Sequence, residues 1–200
     1  MSTTEPLIVE DRHTGERLAL RRVSDGQQTW LEMKGSLPPR SPGPPLHVHV
    51  HEDEEWEILR GVQSVILEGE QWDVPAGGTV RLPHGRAHRW WNDGDEPLEF
   101  EGATKPVVDL DRYLQAVFDV VNASPPNRPS PVYMAHVLRR HWKTQRVLVM
   151  PRPVMAVVVW VVYAVGHLLG RYRGDAWPGC PSRCPGAPTV SLEELRREGR

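Results

Sequence analysis

Over roughly the first hundred residues, apolar and polar positions change over in short runs; after Pro106 the spacing lengthens to that of helices. Residues 18–23, 29–33, 56–59, 64–67, 79–82 and 98–100 are short stretches of aliphatic, β-branched and aromatic residues, several of them alternating with polar ones as strand faces do. Turn sequences separate them: Asp25-Gly26, Arg60-Gly61, Glu68-Gly69, Gly77-Gly78 and Asp93-Gly94. Many short strands with no helical run between them predict a β-sandwich or barrel over about residues 7–104.

Beyond Lys105-Pro106 the pattern is helical. Leu110, Leu114, Val117, Phe118 and Val121 fall on one stripe, with Asp109 and Asp111 at its start where the helix dipole favours negative charge. Residues 124–131 are a proline-rich linker, and a second helix is predicted from about Val132 to Val147. Pro151 and Pro153 break the pattern before 154–169, which is apolar on nearly all sides. The tail is rich in Pro and Gly, with a short helix expected near 191–195 capped by Ser191. The chain thus divides into a β-unit at 1–106, a helical extension at 107–171 and a tail at 172–200.

Composition adds limits. A chain of 200 residues, 39% hydrophobic and 25% charged, buries a core and is neither disordered nor disulfide-built. The net charge of −2 offers nothing to nucleic acid. It conceals an asymmetry, −8 over residues 1–106 and +6 over 107–200. The first residues lack a basic and apolar signal, so the expected location is the cytoplasm. Cys180 and Cys184 do not have the spacing of a zinc half-site; a disulfide, an adventitious metal contact and two idle thiols all stay open.

The chemistry lies in four residues. His47 and His49, two apart on a strand, project from the same face. Glu54, after an acidic turn, and His88, after the turn at Pro83-His84-Gly85, can reach the same place if the strands curl together. Three imidazoles and one carboxylate suit a first-row transition metal; calcium and magnesium take oxygen ligands.

These residues resemble the cupin superfamily in its small, single-barrel (type 2) form. The family's first motif is met from its first histidine onward by His47-x-His49-x4-Glu54-x6-Gly61, although Gly43 precedes His47 by three residues where the family has five. The second motif is met at every specified position, Gly77-x5-Pro83-x-Gly85-x2-His88-x3-Asn92. The resemblance implies a mainly β fold, a jelly-roll barrel followed here by an α-helical extension. It also implies one divalent ion (Fe, Mn, Ni, Cu or Zn) held inside by His47, His49, Glu54 and His88, and a homodimer.

A shifted reading, His49-x-His51-x3-Glu55, leaves five residues before Gly61 instead of six, so His47, His49 and Glu54 are preferred and His51 is placed at the pocket mouth or in solvent. Glu52, Asp53, Glu55 and Glu57 read as a solvated acidic turn and strand face, His84 as a turn residue, Trp56, Trp72, Trp90 and Trp91 as packing, and His136, His141 and His167 as structural.

The apolar segment 154–169 has two placements. It is short for a bilayer core, which favours burial against the barrel or in a dimer interface; its flanking arginines favour membrane association. The function expected is that of a metalloenzyme, of dioxygenase or isomerase type, on a small chelating substrate, with Glu54 as base once substrate displaces it. The alternative is a small-ligand or sugar-binding module tethered to a membrane or partner by the C-terminal helices.

Overall fold

The computed structural model describes residues 2–3 and 5–183. Cys184 and the helix expected at 191–195 lie outside the described residues. The strands are β1 (Ser2–Thr3), β2 (Leu7–Glu10), β3 (Arg17–Ser24), β4 (Thr29–Leu37), β5 (His47–His49), β6 (Asp53–Arg60), β7 (Val62–Leu67), β8 (Glu70–Pro75), β9 (Thr79–Leu82), β10 (His88–Trp91), β11 (Leu98–Lys105) and β12 (Gln145–Val147). Helices α1 (Leu110–Asn122), α2 (Pro131–Arg140) and α3 (Arg152–Leu168) follow the eleventh strand.

Every strand pairing is antiparallel, and the strands form two sheets. The larger runs β1-β3-β4-β11-β6-β9, with β2 also on β3; the smaller runs β12-β5-β10-β7-β8. The predicted jelly roll is therefore present as two facing sheets, and hydrogen bonding does not carry round into a closed barrel. Alternation explains the faces: along β6, Glu54, Trp56 and Ile58 are buried while Asp53, Glu55 and Glu57 face out. Trp56 from the larger sheet meets Trp90 of the smaller at 5.6 Å between ring centroids, and Phe100 closes the cluster at 5.3 Å from each. These tryptophans are core, as the sequence suggested, and the Trp56 N–H donates to Gln63 Oε1 at 2.8 Å.

Asn92, the last residue of the second motif, is a fastener: its amide donates to the carbonyls of Pro38 at 2.9 Å and Glu96 at 2.8 Å. Gly43 sits at φ +60°, and a Cβ there would stand 2.0 Å from the Trp90 carbonyl oxygen, so only glycine fits this crossing of the β4–β5 loop over β10.

The extension is bound to the sheets in two ways. The Arg22 guanidinium on β3 grips the Asp111 carboxylate of α1 with two bonds of 2.6 Å, and both side chains are buried. The second helix ends at Arg140, short of the Val147 that helical spacing predicts. After a turn over 141–144, Gln145 to Val147 instead adds β12 to the edge of β5, in register Gln145↔His49 and Val147↔His47. The open edge of β5 offers backbone partners that a continued helix does not, and this pairing overrides the local periodicity. Of α1's predicted stripe, Leu114, Val117 and Phe118 face the sheets; Ala116 and Val120, rather than Val121, pack on Val137 of α2. The third helix packs chiefly on α2, through Met155 and Val159 against Leu138, with Val147 of β12 bordering the cluster and Gly166 also buried. Of the placements expected for 154–169, burial against the barrel is thus corrected: Val157, Trp160 and Leu168 are 62%, 55% and 82% exposed. No helix among the described residues is long and apolar enough to cross a membrane.

Candidate metal centre

Both sheets contribute to the centre. On the smaller sheet His88 of β10 stands directly opposite His47 of β5, and His49 follows two residues on, so all three rings share one face. From the larger sheet Glu54, which pairs in register with Leu82 and Thr104, points inward at them. One ligand atom from each of His47, His49, Glu54 and His88 lies within 4.8 Å of the others. His49, Glu54 and His88 are buried and His47 is half-buried. The structure thus brings together all four residues of the preferred reading; His51 is half-buried outside the cluster, and Glu55 turns out to Arg81 at 3.1 Å.

Each ring is held from behind. Nδ1 of His47 donates to the Pro45 carbonyl at 2.8 Å, Nδ1 of His88 to the Arg86 carbonyl at 2.9 Å, and Nδ1 of His49 to the Gln145 side-chain oxygen. All three acceptors are oxygens, so the protons sit on Nδ1 and the Nε2 atoms are directed into the centre. There, Nε2 of His47 and of His49 stand 3.1 Å apart, and the two Glu54 oxygens stand 3.4 Å from Nε2 of His49 and of His88. Buried Glu54 Oε2 and His88 Nε2 have no hydrogen-bond partner. Two orphaned buried donor atoms facing one another, backed by oriented rings, fit a divalent transition ion.

The electrostatics follow from this crowding. Burial, with His49 and His88 alongside, pushes the His47 pKa well below the usual histidine range. Burial also opposes charge on His49, but the Glu54 carboxylate outweighs it, with Glu52 and Gln145 assisting, and raises its pKa to about 9. Against its own burial, Glu54 is held far below the carboxylate range, chiefly by His49.

Behind His49 lies a polar network that the sequence reading missed. The Gln145 amide nitrogen donates to Glu52 and, at 3.3 Å, to Asp109. Asp109 accepts from Thr144 at 2.9 Å and lies 2.6 Å from Nδ1 of His141. Glu52 accepts from the backbone N–H of Val108 at 2.8 Å. It is fully buried, which corrects its assignment to a solvated turn, and burial raises its pKa to about 7. Its strand parity, shared with Glu54, was the available signal. Asp53, by contrast, faces out and binds His84 at 2.7 Å, keeping that histidine in the turn as expected.

A cavity of about 210 Å³ opens on the centre. His47, His49 and Glu54 lie on its wall with Leu18, Met33 and Trp90 from the strands, and α1 closes it with Leu110, Tyr113, Leu114, Val117 and Phe118. The arrangement can hold an ion at the polar end and a small, largely apolar molecule beside it.

Residues 33–104 match the family model described as a cupin domain. A stretch of 79 residues is 32% identical to a protein named oxidoreductase iacF from Pestalotiopsis fici; it takes in 38% of this chain and 39% of that protein, well under two thirds of the relative's length. Similar solved structures include an oxalate decarboxylase–formate complex from Lactobacillus farciminis, at 22% identity and a TM-score of 0.44, covering 51% of this chain and 32% of that one. They also include the cupin domain of Cnp3 from Schizosaccharomyces pombe, at 16% identity and a TM-score of 0.40, covering 45% of this chain and 65% of that one.

Proposed function

Residues 33–104 being a cupin domain, we propose that the protein binds one divalent transition-metal ion through His47, His49, Glu54 and His88 and acts as a metalloenzyme, of dioxygenase or isomerase type, on a small organic substrate that chelates the ion. The observation that carries this reading is the convergence of three Nε2 atoms and one carboxylate, each ring fixed by its own acceptor, on the polar end of a largely apolar cavity. The partial identity to a protein named as an oxidoreductase is in keeping with it.

When bound, such an ion supplies Lewis acidity toward a chelating oxygen and, if it is iron, manganese, nickel or copper, redox chemistry as well. The chain's own residues do the rest. Glu54, the one carboxylate among the four residues, is the group that takes a proton from substrate where substrate replaces it as a ligand. Leu114, Val117 and Phe118 of α1 exclude water from the reacting end, and Met33 and Trp90 hold the apolar body of the substrate against the strands. The small volume selects compact diols, enediols or keto acids over polymers.

The test begins with metal analysis of protein purified without tag or chelator, followed by catechol and pyruvate as probes with O₂ uptake and product analysis. Near-stoichiometric iron, manganese, nickel or copper with turnover supports the reading. Bound metal and ligand-induced stabilisation without turnover of any chelating probe moves it to a binding module. Failure to take up any divalent ion overturns it.

A further inference from the structure

We propose that α3 docks the protein on an anionic lipid bilayer, lying in the plane of its surface. The helix turns Met155, Val159 and Gly166 toward the body of the protein. On the opposite side Val154, Val157, Val161, Val165 and Leu168 are spaced by three and four residues and form one stripe, each between 46% and 82% exposed. Trp160 borders this stripe, and the Arg139 guanidinium lies over its ring at 4.4 Å, an amphipathic pair suited to the boundary between acyl chains and headgroups.

Charge complementarity identifies the occupant. Between Asp119 and Asp175 the chain has no acidic residue, whereas it has eight basic ones. Arg152 opens the helix, Arg171 and Arg173 follow its end, and Lys143 is exposed in the turn before β12. An apolar stripe framed by arginines at both ends is complementary to a surface that offers hydrocarbon and negative headgroups together. A second copy is a poorer occupant, because pairing two such faces brings arginines together with no carboxylate of this segment to meet them. Length favours lying flat over crossing: 17 residues extend about 26 Å as a helix, short of the ~30 Å hydrocarbon core.

The experiment is flotation of the full-length protein with vesicles of phosphatidylcholine alone or with about a third phosphatidylserine, at low and high salt. The expected result is binding at least about tenfold tighter to the anionic vesicles, weakened by salt, and lost in Val157→Asp/Val161→Asp. Both substituted positions are exposed, and circular dichroism and metal content check that the variant is folded. Arg152→Glu/Arg171→Glu is expected to weaken binding to anionic vesicles selectively. Absence of binding by the unaltered protein, or equal binding by the aspartate variant, overturns the proposal. So does a stable dimer in sedimentation that the aspartate variant dissociates, since a second copy then covers the face.

Discussion

The side-chain oxygen of Gln145 accepts the Nδ1 proton of His49, so a residue of the C-terminal extension sets the ring of a residue in the metal centre. The direction of the amide is fixed from its other end, where its nitrogen lies between the carboxylates of Glu52 and Asp109 and can only donate. The extension is therefore part of the centre's construction. Gln145→Ala is expected to weaken metal binding by about 10- to 100-fold, the usual cost of losing the partner of a ligating imidazole. Competition titration against a chromogenic chelator measures it. An unchanged affinity in a folded variant removes Gln145 from this role.

The ligands themselves are expected to be less forgiving. His88→Ala and His47→Ala each delete one imidazole from the four-residue set, and both should lose stoichiometric metal while circular dichroism still reports the two sheets. His51→Ala, outside the cluster, should keep its metal. Metal retained in either of the first two variants sinks the ligand assignment, and metal lost in the third revives the shifted reading through His51.

How far the centre was legible in the sequence depended on spacing. His47 and His49 share a face by strand parity, and the two spaced patterns that resemble the cupin family add Glu54 and His88, so the sequence reached all four. Glu52, Asp109, His141 and Gln145 are single polar residues, and what unites them is the pairing of β12 with β5. Nothing near Gln145 announces that pairing, because Met134, Val137, Leu138 and Trp142 just before it satisfy a helical period. The apolar segment failed differently. Apolarity on every side states that a helix will be covered but not by what, and only the packing on α2 separates its covered side from its open one.

The buried pair between Arg22 and Asp111 is expected to be the chief tether of α1 to the strands. Removing one partner leaves the other charge buried and uncompensated, which costs about 3–5 kcal/mol. Arg22→Ala and Asp111→Ala should each lose about that much in urea unfolding, and Arg22→Met/Asp111→Leu should recover most of it because no buried charge is left. Additive losses in the double variant argue that the two side chains do not interact.

Glu16 makes stability depend on pH in an unusual direction. It lines the apolar cavity, and burial, with the nearby Asp11 charge adding to it, raises its pKa from 4.5 to about 7. Between these values the unfolded chain releases the proton while the folded chain keeps it, so the folded state binds more protons and stability falls as pH rises. Below 4.5 both states are protonated and nothing is lost; above about 7 both are ionised and the loss is complete. Glu16→Gln keeps the shape of the neutral carboxyl and cannot ionise. Its stability relative to the unaltered protein should therefore climb from about pH 4.5 to about 7 and then level off, as read from urea unfolding across that range. A difference that stays flat with pH shows that the Glu16 carboxyl ionises in the folded protein as it does in water.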